Sequence, residues 1–294
     1  MQVAFLLIIY FLKILQQNIV WIFSQKRLTK KTSYLLIFYR KLIQIGNSQI
    51  STQIIDNINS HSLFLMISNF KRCLSITKKI VSSSNTNMYL LECGTKCLII
   101  DPADDFDSIK KLISKKCPKS NPDIFLTHGH YNHIRSVPQL CDYYKNAKIY
   151  ASNRDTPLFL GSFHDISKQK NIPKFTLQNY FNRMKFIKEN DTLKINDDIF
   201  EIIDLAGHTP GSIGLYNKKH KCAFVGDTLL FESLGSVDSS LSNDELLTKN
   251  VRMKLMTLDE NTVIYPGHGK KTTIGHEKEN NEFLKHPFFG DATN

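Results

Sequence analysis

The amino-acid sequence predicts an α/β sandwich, and three observations carry the prediction. From residue 88 onward, short apolar runs of strand length alternate with amphipathic stretches of helical period. The strands fall into two groups, one ending at residue 151 and one starting at residue 193, with helical sequence among them. That is the order of packed layers rather than of a closed barrel. Histidines and one aspartate recur just beyond strand ends, where loops can bring them to one edge of the sheets. With 294 residues and 41% hydrophobic content, the chain is long enough to bury such a core.

The chain opens on a segment of different composition. Residues 1–91 carry eleven Lys and Arg against one acid, Asp56, and so hold ten of the eleven net positive charges. Residues 3–12 form a continuous apolar run, shorter than the roughly 20 residues of a membrane span and of the length of a signal-peptide core. Residues 24–85 are rich in Lys, Arg, Ser, Thr and Asn, the composition of an organellar transit peptide. We therefore divide the chain into a leader, 1–85, and a folded body, 86–290. The leader is expected to direct the protein to a plastid or a mitochondrion, to make its membrane contact, and to be cleaved between Arg72 and Asn87. A retained signal anchor, or a stretch with no folded role, are the alternatives. Residues 5–15 and 33–43 have apolar residues at helical spacing and predict leader helices outside the core.

The body is almost neutral, which argues against a basic nucleic-acid-binding face, so no nucleic acid is expected as partner. Six cysteines without C-x-x-C spacing read as reduced thiols rather than as a disulfide framework. In order, residues 88–93 and 96–100 predict a hairpin about Gly94, 104–114 an amphipathic helix, and 124–126 a short buried strand. A helix over 134–145, a strand over 148–151 and an irregular region with some helical turns over 157–181 follow. Strands are then expected at 193–195, 199–205, 213–216 and 222–225. Ser242 with Glu245 has the spacing of a capping box and predicts a helix to about residue 258. A strand at 263–265 and a helix over 275–284 complete the series.

The candidate ligands are His128, His130, Asn132 and His133 after the 124–126 strand, His208 after 199–205, Asp227 after 222–225 and His268 after 263–265. Imidazole and carboxylate are the donors that zinc and similar ions take, and catalytic sites keep one position open for water. Lone histidines elsewhere, His61, His164, His220, His276 and His286, read as surface or core residues. Asp101 reads as a residue that fixes a ligand or loop, and Tyr131 as a packing residue.

The string Thr127-His128-Gly129-His130-Tyr131-Asn132-His133 resembles the T-H-x-H-x-D-H signature of the metallo-β-lactamase superfamily. Ile100-Asp101-Pro102, Gly207-His208-Thr209-Pro210-Gly211-Ser212, Val225-Gly226-Asp227-Thr228-Leu229 and Tyr265-Pro266-Gly267-His268-Gly269 continue the match. The tail from Thr272-Thr273-Ile274-Gly275-His276-Glu277-Lys278 to Phe283-Leu284 is similar to that of the short glyoxalase II-like hydrolases. The resemblance implies a four-layer αββα sandwich. It places His128, His130 and His208 on a first metal, His133 and His268 on a second, and Asp227 between them. It also implies hydrolysis of a small-molecule thioester such as S-(2-hydroxyacyl)glutathione by a metal-held hydroxide, with one or two Zn2+ or, alternatively, iron.

Three departures bear on that expectation. Asn132 stands where the family usually has Asp, and its amide is expected to coordinate only weakly. Gly235-Ser236-Val237-Asp238 lacks the Arg usual before Thr-Asp in the related hydrolases. The sequence ends at Asn294, short of the helical glutathione-binding region of hydroxyacylglutathione hydrolases. They keep open a persulfide dioxygenase with one iron on His128, His208 and Asp227, and a catalytically impaired metal-binding relative.

Overall fold

A computed structural model describes residues 74–285 apart from 82–83, 94, 119, 169–180 and 238–239. The leader helices expected at 5–15 and 33–43 lie outside the described residues. Two six-stranded sheets form the body. The first comprises β1 (Ser75–Val81), β2 (Thr86–Cys93), β3 (Lys96–Ile100), β4 (Asp123–Phe125), β5 (Ile149–Ala151) and β6 (Met184–Phe186), hydrogen-bonded in that order. The second contains β7 (Thr192–Ile195), β8 (Asp198–Asp204), β9 (Ile213–Asn217), β10 (Cys222–Gly226), β13 (Val263–Pro266) and β14 (Thr272–Thr273), in the order β14-β13-β10-β9-β8-β7. A two-stranded ribbon, β11 (Leu229–Leu230) and β12 (Ser233–Leu234), follows β10.

Side chains alternate across a strand, so a strand buried on both faces reads as an unbroken apolar run. Along β2, Met88 and Leu90 face a core shared with helices, while Tyr89 and Leu91 face the other sheet. The helical core packs β2 to β5 against α1 (Phe106–Lys116), α2 (Tyr131–Ile134), α3 (Val137–Tyr143) and α4 (Thr156–Ser167), for example Ile99 and Ile124 with Ile113 and Phe163. Between the sheets, Phe125 and Ile100 meet Phe200, Leu215 and Phe224. On the far face of the second sheet, Ala223, Val225 and Ile264 pack with Leu247, Val251 and Ile274. These last come from α5 (Asp244–Asn250), the π-turn Val251–Leu255 that extends it, and α6 (Ile274–Asn280); a final short helix, α7, is Glu282–Lys285. The layers are thus helix, sheet, sheet, helix. Each large side chain buried in full contributes about 1.5–3 kcal/mol over its exposed state.

Strand direction decides where the loops go. β3, β4, β5 and β6 run parallel, with α1 crossing over from β3 to β4, α2 and α3 from β4 to β5, and α4 from β5 toward β6. β8 and β10 are each antiparallel to β9 and therefore run the same way, and β13 is parallel to β10. The carboxyl ends of β8, β10 and β13 consequently share one edge, the place where open α/β sheets bind ligands.

Several expectations are corrected. β1 falls inside the segment assigned to the leader, yet it pairs with β2 along its whole length, so the folded body includes residues from Ser75 onward. A cleavage site later than residue 75 would cut into that strand. The helix expected over 134–145 is two, α2 and α3, because Pro138 opens α3 and the Ser136 N–H bonds to the Pro102 and Ala103 carbonyls. The region from residue 157, expected to be irregular with some helical turns, begins with the regular helix α4 of three turns; residues 169–180 lie outside the described part. The cap of α5 is Asn243, whose side chain accepts from Leu246 N, and Ser242 donates instead to the His208 carbonyl. Among the described residues no helix is long and apolar enough to cross a membrane.

Candidate metal centre

The chain leaves β4 through Leu126 and turns at Thr127. Asp101, directly after β3, accepts from Thr127 N at 2.8 Å and from Thr127 Oγ1 at 2.7 Å. The same hydroxyl lies 3.0 Å from His128 Nδ1, so that nitrogen carries the proton and donates to it. Nε2 of His128 is left facing the cluster. His130 is the N-cap of α2, and Asn132 and His133 stand on that single turn. His133 Nδ1 donates to Asp101 Oδ2 at 2.9 Å, which aims His133 Nε2 inward.

Three loops of the second sheet supply the rest. His208 follows the carboxyl end of β8, and its Nδ1 donates to the Ser236 carbonyl at 2.7 Å. His208 Nε2 then sits 3.0 Å from His130 Nδ1. Gly207 holds φ at +145°, with Leu247 of α5 so close that a Cβ would lie 2.3 Å from its Cα. Asp227 follows β10, and its Oδ2 lies 3.4 Å from His133 Nε2, 3.3 Å from His268 Nε2 and 3.8 Å from His208 Nε2. His268 follows β13 on a loop that the first hairpin clamps. Asn87 N–H donates to the Gly267 carbonyl, the Asn87 amide to the Pro266 and Gly269 carbonyls, Tyr89 Oη to that of Pro266 and Lys78 Nζ to that of Gly269. Asn132 Nδ2 lies 3.3 Å from His268 Nε2 and 3.4 Å from Thr86 Oγ1.

Two ligand sets result: His128, His130 and His208, and His133, Asp227 and His268, each with its donor atoms within 4.8 Å of one another. Asp101, His128 and His133 are as close, but Asp101 is occupied by Thr127 and His133 Nδ1 and serves to orient them. The residues fit a divalent ion on two counts beyond donor type. His128 Nε2 and Asp227 Oδ1 are buried without a hydrogen-bond partner, a costly state for polar atoms unless something else satisfies them. Gly267 leaves bare backbone against that carboxylate, where a Cβ would lie 2.0 Å from Asp227 Oδ1.

A sequence profile of the metallo-beta-lactamase superfamily matches residues 83–268. The chain belongs to that superfamily. It is 33% identical over 189 residues to the hydroxyacylglutathione hydrolase GloC of Haemophilus influenzae, covering 63% of this chain and 86% of that one. A probable metallo-hydrolase of Streptococcus pyogenes is 30% identical over 220 residues, 72% and 90% of the two chains. Among solved structures, BLEG-1 B3 metallo-beta-lactamase superposes with a TM-score of 0.60 at 27% identity, over 72% of this chain and all of that one. The protein TTHA1623 in a di-iron-bound form gives 0.60 at 28%, over 71% and all of that chain.

For a superfamily member of this hydrolase-like kind, the protonation of the ligands matters. Burial first, and neighbouring imidazoles second, hold His128 well below the ordinary histidine value and push His130 down to about 4. Both are neutral at pH 7, as a ligand must be. Burial opposes a charge on His133 too, but Asp227 and Asp101 outweigh it and raise His133 to about 10, so its Nε2 must give up a proton to take an ion. Burial would likewise raise Asp227, and His133 reverses this and holds it well below the carboxylate range.

The structure brings together all seven residues singled out in the sequence. His220 and His276 pair instead with Asp198 and Glu232, His164 is exposed, and Tyr131 packs against the helical core. Sequence reasoning missed the clamp on the His268 loop and missed Asp155. The latter is a fully buried carboxylate that accepts from Gly129 N, Thr209 Oγ1 and Gly211 N. The signal was available for Asp155, since it too stands just beyond a strand, β5, at the edge where the ligands gather. Asn87 carried a weaker one, a polar residue directly before an apolar run.

Proposed function

We propose that this superfamily member is a metal-dependent thioester hydrolase acting on S-(2-hydroxyacyl)glutathione or a close analogue, with zinc as its ion. The carrying observation is the pair of buried atoms without partners, His128 Nε2 and Asp227 Oδ1, within five imidazoles and one carboxylate. The thioester substrate is supported by the 33% identity to a hydroxyacylglutathione hydrolase.

His128, His130 and His208 would hold one ion, and His133 and His268 a second, with Asp227 reaching histidines of both sets. A divalent ion bound there supplies Lewis acidity and a water acidified toward neutral pH. The chain contributes orientation: Asp101 keeps the protons on the outward nitrogens of His133 and, through Thr127, of His128, and the Ser236 carbonyl does so for His208. Asn132 offers only a neutral amide beside His268, so Asp227 is the sole anionic ligand and the second ion would be held more weakly than with an aspartate at position 132.

That shortage of charge favours a second reading, a persulfide dioxygenase with one iron on His128, His208 and Asp227. Metal analysis of the full chain, with S-lactoylglutathione hydrolysis measured before and after zinc or iron loading, separates the two. Zinc-dependent hydrolysis is expected. Iron uptake with oxygen consumption on glutathione persulfide and no thioester cleavage would overturn the hydrolase reading.

A further inference from the structure

Asp155 closes a 3-10 turn (Asn153–Asp155) after β5 and is fully buried. Its Oδ2 accepts from Gly129 N and from Thr209 Oγ1, both at 2.8 Å, and its Oδ1 accepts from Gly211 N at 2.6 Å. Gly129 separates His128 from His130, and Thr209 follows His208. One carboxylate therefore ties the loop bearing two histidines of the first set to the loop bearing the third. We propose that Asp155 is a positioning residue that sets the spacing of His128, His130 and His208 and thereby the affinity for the ion they hold. This rests on the reading of that set as a metal site.

The geometry explains why a carboxylate is needed. Its two oxygens have acceptor capacity for several donors and present none, whereas an amide has one acceptor and one NH2. Gly129 and Gly211 bring backbone N–H groups, which cannot turn into acceptors, so an NH2 in place of either oxygen would meet a donor. The approach is close on both sides: a Cβ on Gly211 would lie 2.6 Å from Asp155 Cγ, and one on Gly129 2.8 Å from Leu158 Cβ. Ser162 on α4 holds the same residue from its carbonyl side, donating to the Gly129 carbonyl at 2.9 Å. The Thr127 carbonyl also accepts from Ile213 N at 2.9 Å, so the two loops are pinned before any ion arrives. Binding then need not order them, which is the advantage of a preorganised site.

The test is titration of the ion-free full chain with Co2+, read by its absorption spectrum and by competition with a chromophoric chelator. Asp155→Asn, Thr209→Val and, as a control remote from the ligand loops, Ile113→Ala are compared with the unaltered protein at a temperature where all are folded. Asp155→Asn is expected to weaken the first ion by about 10–100-fold, the range for residues that orient ligands. Thr209→Val, which removes one of three donors, should weaken it less, and Ile113→Ala should leave it unchanged. Unaltered affinity in Asp155→Asn, or equal weakening in Ile113→Ala, overturns the proposal. Should Asp155→Asn not fold, unaltered affinity in Thr209→Val overturns it. If the unaltered protein takes up no Co2+, the metal reading falls together with this one; tight binding that the variants leave untouched removes this one alone.

Discussion

Asp101 holds φ at 49°, in the left-handed region that aspartate tolerates better than most residues. From there its two oxygens meet three donors: Thr127 N–H, the Thr127 hydroxyl and His133 Nδ1–H. Asparagine would offer one acceptor to the three. Asp101→Asn is expected to lower the affinity of the His133–Asp227–His268 set by about 10–100-fold in chelator competition. Unchanged affinity would mean that packing alone fixes the rings. Asn132 poses the opposite case, a neutral side chain 3.3 Å from His268 Nε2. Asn132→Asp is expected to raise the number of ions retained per chain after dialysis, measured by mass spectrometry of the metal. The same stoichiometry in both proteins would show that charge at this position does not limit the second ion. At this scale the sequence revealed donor types but not which ring nitrogen faces inward. That choice depends on partners such as the Ser236 carbonyl, 28 positions away from His208.

The elements that were legible are those whose apolar period is strong and whose ends carry a marker. β2, β3, β8, β9 and β10 were found because both faces are buried or alternate cleanly. β1 was not, since its exposed Lys78 and Ile80 and the basic stretch before it look like leader, and only its pairing with β2 makes it a strand. Only scattered helical turns were legible where α4 stands, because Pro157 and Gly161 weaken its pattern; Pro157 stands in the first turn, where no N–H is needed, and Gly161 faces open space. The turn from β8 to His208 depends on Gly207 for reasons of φ and of space alike. Gly207→Ala should cost about 2 kcal/mol or more and displace His208, seen as a lower thermal midpoint together with a lower Co2+ affinity. A midpoint lowered without any change in affinity would show that the loop absorbs the strain elsewhere.

Across the described body, one half-hidden ion pair ties Asp198 to the turn after β9, and another ties Asp204 of the second sheet to Arg154 in the turn after β5 of the first. Burial alone would raise Asp198 and Asp204, but Lys219 and His220 lower the first and Arg154 and the Ala206 N–H lower the second. Folded values below the unfolded value of about 3.9 mean that their stabilisation is present in full above that pH and is lost as pH falls through the folded values. The thermal midpoint should therefore drop on acidification from pH 6 to pH 3, and the drop should be smaller in Asp198→Asn. An equal drop in that variant would place the acid sensitivity elsewhere.

The clamp on the His268 loop joins parts of the described body that lie far apart in the chain, with Lys78 and the Gly269 carbonyl 191 positions apart. A chain is made from its amino end. Lys78, Asn87, Tyr89 and all three histidines of the first set therefore exist before the segment bearing His268 has been synthesised. The first set can gather while the second still lacks a member, and closing so long a loop adds little further entropy cost, because that cost grows only slowly with length. Order of manufacture thus leaves the His268-containing set, where Asn132 adds no charge, to be completed last.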